Sequence, residues 1–311
     1  MTDIGQSTAK SEAATTPWVA GLLFSLVAAL SYACVPALAR IAYDGGSDPL
    51  TVAFMRSLMG TTALVMMILI FRRPILLPRK AWAVTMLATL SWFVTNVSYL
   101  AAIYYLPIGL ASLLLFCFPF LAALLVPLLE SGVFVRRNLA ALVIALGGLA
   151  LALASVFHTL PLEGICFGLL AAAGATVTAL VSRRLVALHD VFSITVYVNI
   201  GGAVILGGAL ALLGGFSFPF ALSGWGGMVG AGVFYAIAIV IQFAAIDLTG
   251  PARTGVVAYA EPLITIALAA VILGELLAPE QFVGALVMTA ALVFLAWRPA
   301  TTTSRVDTTS R

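Results

Sequence analysis

The chain has 311 residues, of which 63% are hydrophobic and only 9% are charged, with a mean hydropathy of +1.16. A soluble domain carries about 25% charged residues because it needs a polar surface, so this composition indicates an integral membrane protein. The net charge of +3 is too small to indicate a nucleic-acid partner, and the three cysteines lie in apolar runs without the spacing of a metal site or a disulfide framework.

Ten apolar runs, each long enough to cross a bilayer as a helix, follow one another along the chain. A hydrocarbon core of about 30 Å needs about 20 helical residues. We expect spans near residues 18–42, 49–71, 81–104, 107–129, 138–157, 161–186, 191–214, 222–247, 251–273 and 279–297. The polar segments 1–16 and 299–311 are predicted to be disordered tails, and the first lacks the apolar core of a signal peptide.

Positive charge is distributed unevenly over the breaks between these spans. If the N-terminus is cytoplasmic, thirteen of the fifteen Lys and Arg residues fall on the cytoplasmic side, and only Arg40 and Arg56 do not. Loops rich in Lys and Arg stay in the cytoplasm during insertion. The pattern therefore predicts a multi-pass membrane protein with both termini in the cytoplasm.

The sequence matches itself when it is shifted by 143 residues, nearly half its length. This shift divides the chain into two halves, residues 17–157 and 158–298. The most specific matches pair Arg40 with Arg183, Trp82 with Trp225 and Pro119 with Pro262. Because each half has five spans, an odd number, the second half enters the bilayer upside down. We expect an all-α integral membrane fold of ten transmembrane helices arranged as two inverted five-helix repeats. Such repeats are typical of secondary transporters, which hold the substrate near the midplane and expose it alternately to the two sides of the membrane.

The third and eighth spans carry polar and aromatic residues on one helical face. In the third span these residues are Trp92, Asn96 and Tyr99, and their repeat mates are Tyr235, Ile239 and Gln242. An amide side chain in hydrocarbon needs a partner, so both faces should turn toward protein or a cavity. Helix–helix contact and substrate contact both explain the pattern, and the pairing of aromatic rings with amides favours an organic ligand.

The fourth and ninth spans each contain a proline near the middle, in Phe116-Cys117-Phe118-Pro119 and in Tyr259-Ala260-Glu261-Pro262. A proline removes one helical hydrogen bond, so Pro119 and Pro262 are predicted hinges. Glu261 lies near the midplane, where a carboxyl is a functional candidate: a proton carrier, an anchor for a substrate ammonium, or a neutral structural acid. The predicted substrate site comprises Trp92, Asn96, Tyr99, Phe116, Phe118, Gln242, Tyr259 and Glu261.

The remaining charged residues near the spans have structural interpretations. Arg56 lies seven residues after Pro49 and is expected to extend to the outer interface. Arg40 and Arg183 end their spans, where a cation suits the helix carbonyls, and Glu130 and Glu275 are expected to brace short loops. Without another cation inside a span, substrates that carry phosphate are disfavoured.

The second half resembles a known family in three segments: Ala258-Tyr259-Ala260-Glu261-Pro262-Leu263, then Leu273-Gly274-Glu275-Leu276, then Gln281-Phe282-Val283-Gly284-Ala285. They resemble the second-repeat signature of the EamA-like members of the drug/metabolite transporter superfamily. The first half departs from this pattern at Glu130. This residue has no glycine before it, and it lies two residues earlier in its half than Glu275 does in the second half. The resemblance implies a transporter of small metabolites, nearest to exporters of aromatic amino acids and of threonine or homoserine, with its site around the third, fourth, eighth and ninth spans.

The leading hypothesis is a bacterial inner-membrane exporter of amino acids or similar zwitterionic metabolites that works by alternating access of the two repeats. Efflux of organic cations through the same cavity, with Glu261, Tyr259 and Trp92 as ligands, is the alternative, and a channel or non-transporting membrane protein is a further one. An enzyme is not expected, because no paired acid, activated nucleophile or metal cluster is present. The expected partners are a small-molecule substrate and the lipid bilayer, without a cofactor; the sequence sets no oligomeric state and is compatible with a monomer.

Overall fold

The computed structural model of the chain describes residues 4–72, 75, 77–130, 135–154, 159–186 and 190–296. Within them, ten helical segments are long and apolar enough to cross a bilayer, which confirms the predicted all-α membrane fold. The first half contains α1 (Ile4–Asp44), α2 (Pro49–Phe71), α3 (Trp82–Tyr105), α4 (Ile108–Leu115), α5 (Phe118–Glu130) and α6 (Arg136–Ala154). The second half contains α7 (Leu162–Val186), α8 (Val191–Leu213), α9 (Leu222–Thr249), α10 (Pro251–Ala258), α11 (Glu261–Leu273) and α12 (Pro279–Ala296).

The N-terminal segment differs from its prediction. Residues 1–16 were expected to form a disordered tail, whereas α1 begins at Ile4 and its membrane-length part begins at Val19. The intervening sequence includes Ala9, Ala13 and Ala14, and alanine has the highest helix propensity of all residues. The predicted C-terminal tail 299–311 and the boundary between the halves at 157–158 lie outside the described residues.

The second span of each half begins with an aspartate cap. Asp48 accepts hydrogen bonds from the backbone N–H groups of Leu50 and Thr51 at 2.8 and 3.0 Å, and Pro49 occupies the first turn of α2. Asp190 caps α8 by accepting from the N–H of Ser193 at 3.0 Å. A side-chain cap satisfies backbone donors that have no helical partner, which fixes where each span starts.

The two halves pack against each other through equivalent helix pairs. Helix α1 lies along α9 and α3 lies along α7, which is the same pairing with the halves exchanged. The last helices, α6 and α12, pair with each other, and so do α2 and α8. At the α6–α12 crossing, a Cβ added to Gly148 would lie only 2.8 Å from the carbonyl oxygen of Gly284, so the two backbones approach without side chains between them. Small residues at such a crossing permit close packing inside a bilayer.

One end of the bundle is joined across the halves by hydrogen bonds; we call it the closed end, where residues 45–48 connect α1 to α2. Ser47 Oγ donates to the Ser217 carbonyl at 2.8 Å, and the Phe220 N–H donates to the Gly45 carbonyl at 3.0 Å. Here too Arg40 lies 3.8 Å from Glu275, whose carboxylate accepts from the N–H of Ile108 at 2.9 Å. Glu275 therefore caps α4 of the other half instead of bracing only its own loop.

Candidate functional site

A cavity of about 400 Å³ lies between α1, α3, α7, α8 and α9. It begins at mid-depth beside Tyr32, Trp92 and Tyr235 and extends to Val191 and Ile246. Those last two residues lie at the end opposite the closed end, which we call the open end. The cavity therefore connects the middle of the bundle with the open end.

Tyrosine and glutamine side chains shape the inner part of this cavity. The hydroxyl of Tyr32 donates to Oε1 of Gln242 at 2.9 Å, which joins α1 to α9. The rings of Tyr32 and Tyr235 meet edge to face with their centroids 5.9 Å apart. Aromatic walls with a few fixed polar groups are typical of small-molecule sites.

Arg56 occupies the centre of the bundle, contrary to the prediction that it extends to an interface. Its side chain is 5% exposed, it donates from Nη2 to the amide oxygen of Asn96, and its Cζ lies 4.5 Å from the centroid of the Tyr235 ring. Helices α3 and α9 both pack against α2 and block the way outward. The Nε of Arg56 is buried and has no hydrogen-bond partner among the described residues. A buried guanidinium donor without a partner is costly, and Arg56 lies behind Tyr235 and is not itself part of the cavity lining.

The aromatic rings beside Arg56 are held against glycines of the second span in each half. A Cβ on Gly60 would lie 2.5 Å from Cε1 of Tyr235, and one on Gly202 would lie 2.5 Å from Cζ3 of Trp92. The Tyr235 hydroxyl donates to Oδ1 of Asn199 at 3.0 Å. These contacts leave each ring little freedom to rotate, which pre-organises the cavity wall.

Glu261 is the first residue of α11 and is partly buried. It lies within electrostatic range of Arg56, Tyr32 and Tyr99. No salt bridge joins Glu261 to Arg56, although the structure describes both side chains. A cation and an acid thus lie in one buried region without neutralising each other directly.

The sequence-predicted site residues fall into three places. Trp92 and Gln242 line the cavity, and Asn96 binds Arg56 next to it. Phe116 and Tyr99 are buried in the largest apolar cluster, with Phe118 and Tyr259 packed against it, and the Tyr99 hydroxyl is bonded to Ser112 at 2.8 Å. The predicted hinges, Pro119 and Pro262, each stand at the second position of a helix, α5 and α11, just after a break in the span.

Sequence reasoning missed three residues of this region, namely Tyr32, Arg56 and Asn199. The internal repeat carried a signal for two of them, because it pairs Arg56 with Asn199, and it likewise pairs Trp92 with Tyr235. A polar residue at the same depth in both halves indicates a position that faces protein on each side of the pseudo-twofold axis. Within the described residues no group of three or more His, Cys, Asp or Glu side chains is placed to hold a metal ion.

Comparison with known proteins assigns the family. The model of the EamA-like transporter family matches residues 19–154 and matches again at 162–297. The chain belongs to the EamA-like transporter family. The two matches are related by the same shift as the internal repeat, so each half of this EamA-like chain is one family unit, and the chain is a membrane transporter of the drug/metabolite superfamily.

A solved crystal structure of another protein has the same fold. It superposes with a TM-score of 0.65 over 88% of this EamA-like chain and 96% of its own, at 18% sequence identity. Similarity at this identity concerns the fold and not the substrate. No curated protein matches the sequence.

Proposed function

We propose that this EamA-like chain exports amino acids or similar small zwitterionic metabolites by alternating access. The observation that carries the proposal is that buried Arg56 and partly buried Glu261 lie in one region beside the cavity, without a salt bridge between them. A zwitterion has one carboxylate and one ammonium, and this region provides one group of each opposite sign.

Arg56 is suited to a substrate carboxylate. Its Nη2 is held by Asn96 and its face by the Tyr235 ring, which fixes the guanidinium plane, while Nε has no partner. Arginine binds carboxylates through parallel N–H donors, and such charge-assisted bonds are the strong ones. A bound carboxylate would satisfy the buried Nε.

Glu261 is suited to the ammonium group of the same ligand. It starts α11 directly after the break in the ninth span, so its carboxyl lies where the backbone is already open. The rings of Trp92, Tyr32 and Tyr235 provide apolar and cation–π surface for the rest of the molecule. A proton-carrying role for Glu261 is a separate hypothesis that the experiments below distinguish.

The position of Arg56 changes the earlier argument about substrate charge. Phosphate compounds were disfavoured because no cation was expected inside a span, and that reason does not hold for a buried Arg56. An ionised Glu261 would oppose a doubly anionic ligand, and Arg56 would oppose an organic cation in the same way. The charge pair therefore favours a zwitterion over both alternatives.

The charge distribution supports one orientation of the chain in the membrane. Basic residues lie at the open end at Arg79, Lys80, Arg136, Arg137, Arg183, Arg184 and Arg253, whereas the closed end has Arg40. By the positive-inside rule the open end faces the cytoplasm, with both termini there, in a bacterial inner membrane. In this state an exporter would load its substrate from the cytoplasm, and an importer would release its substrate there.

The test is counterflow in proteoliposomes with a panel of amino acids, each paired with its methyl ester and its 2-keto acid. The ester lacks the carboxylate and the keto acid lacks the ammonium, so each should be transported at least about tenfold more slowly than the amino acid, the effect of losing one charge-assisted bond. Arg56→Gln should slow amino-acid transport and reduce the difference in transport rate between the amino acid and its ester. Glu261→Gln should reduce the difference in transport rate between the amino acid and its keto acid.

Two results would contradict the proposal. Esters transported as fast as amino acids by the parent protein would indicate organic-cation efflux. If transport of all three compounds fell equally in both variants, Arg56 and Glu261 would maintain the fold and would not contact the substrate. The control for that outcome is Phe118→Leu, a neutral change at the repeat mate of Glu261.

A further inference from the structure

A second cavity lies on the outside of the bundle, at the open end. It is a groove of about 510 Å³ between α3, α5 and α7, and it shares no residue with the central cavity. Its walls are apolar side chains of the three helices, among them Leu87, Val126 and Leu180. Leu87 and Leu129 are 48% and 65% exposed, so the groove faces the surrounding lipid and not the protein interior. The transport mechanism makes no use of it.

Two adjacent arginines stand at one end of this groove. Arg183 and Arg184 belong to the last turn of α7, line the groove and are exposed. The groove lining contains no acidic side chain, and no acidic partner of either arginine is found among the residues that the structure describes. The C-terminal carbonyls of α7 attract cations at this position, but that attraction does not account for an apolar groove that starts at the charged pair.

The position of the pair matches the level of lipid headgroups. Trp82, at the start of α3, is 46% exposed and meets Tyr197 edge to face at the same end of the bundle. Trp and Tyr side chains are enriched at the boundary between hydrocarbon and water. Val177 lies seven residues before Arg184 on α7, so the apolar walls extend about 10 Å from the guanidinium groups toward the midplane.

We propose that this groove is a binding site for an anionic phospholipid, with an acyl chain along α3, α5 and α7 and the headgroup phosphate on Arg183 and Arg184. Basic pockets between transmembrane helices on the cytoplasmic side bind anionic headgroups. Arginine binds phosphate through paired donors, and the apolar walls match one acyl chain in a way that a free anion or a small metabolite does not.

The experiment is lipid titration of the full chain in a neutral detergent, followed by native mass spectrometry. Phosphatidylglycerol and phosphatidylcholine with the same acyl chains are compared, and inorganic phosphate is added as a competitor. We expect one phosphatidylglycerol to bind per chain at least about fivefold more tightly than phosphatidylcholine, and R183Q/R184Q to abolish this preference. The matched control is R136Q/R253Q, which removes two exposed arginines from the same end outside the groove lining and should keep the preference.

A second measurement does not require removal of the arginines. Leu180→Trp places a fluorophore in the groove wall, and phosphatidylglycerol with brominated chains should quench the added fluorescence more than brominated phosphatidylcholine does. Equal binding or equal quenching by the two lipids would overturn the proposal in favour of ordinary lipid contact. Loss of the preference in R136Q/R253Q, or displacement by inorganic phosphate alone, would equally overturn it, because the groove would then play no part.

Discussion

The two broken spans have the same backbone and different chemistry. The shift that relates the two halves carries the bounds of α4 (108–115) and α5 (118–130) onto those of α10 (251–258) and α11 (261–273). Each break comes just before a proline, yet the first residue after it is Phe118 in one half and Glu261 in the other. Phe118 packs against the largest apolar cluster, whereas Glu261 interacts with Arg56. The break is thus a property of the repeat, and the charge is an addition to one copy.

The largest expected effect comes from removing that difference. Glu261→Phe gives the second half the residue of the first while keeping the break and Pro262. We expect amino-acid transport to fall by about 100-fold or more, because a charge-assisted contact worth about 1.5–3 kcal/mol is lost and the larger ring occupies the space of the ammonium. Initial rates in proteoliposomes measure the loss. Phe118→Tyr, a polar change at the equivalent place, should retain most of the rate.

Glu261→Gln then separates the two roles of the carboxyl. If Glu261 binds an ammonium, the amide variant should bind substrate more weakly without any pH gradient. If it carries a proton, the variant should keep downhill exchange and lose its response to a gradient. A variant that behaves as the parent in both assays would leave Glu261 as a structural acid beside a helix break.

An intermediate effect is expected where the two spans are alike. Pro119→Ala and Pro262→Ala each supply an N–H that can bond to the carbonyl four residues earlier, which would stiffen the break. One such bond is worth about 0.5–1.5 kcal/mol, so turnover should slow by about two- to tenfold in both variants. Apparent substrate affinity should change little. A fall in affinity at constant turnover would argue against a hinge in that half.

The smallest effect concerns the glycines that hold the two rings. Gly60→Ala would press on Tyr235 and Gly202→Ala on Trp92, each through a contact of 2.5 Å. Overpacking of this kind costs about 1–3 kcal/mol, so both variants should have a lower Tm in thermal unfolding. Gly208→Ala, in the same helix as Gly202, has nothing within 4 Å of the added carbon and should unfold like the parent. Equal Tm values for the three alanine variants would mean that the rings of Tyr235 and Trp92 move aside without a loss of stability.

The sequence predicted the parts of this molecule that depend on local pattern. Apolar length defined the ten spans, and the prolines located both breaks to within a few residues, because a proline acts on its own helix. Arg56 was misplaced because its depth in α2 suits a residue that extends to the surface, and only the packing of α3 and α9 over it removes that path. Helical spacing alone could not show that Trp92 lines the cavity and Tyr99 does not. The difference arises because the Tyr99 hydroxyl is hydrogen-bonded to Ser112 on another helix.

The odd number of spans in each half has an evolutionary consequence. A five-span unit begins and ends on opposite sides of the bilayer, so a separate copy could form the pairings α1–α9 and α3–α7 only with a partner inserted the other way up. Fusion into one chain removes that requirement, because the first unit dictates how the second enters. In one chain, each half has a fixed orientation and need not work in both. The differences between Arg56 and Asn199, and between Phe118 and Glu261, are of the kind that a fixed orientation permits.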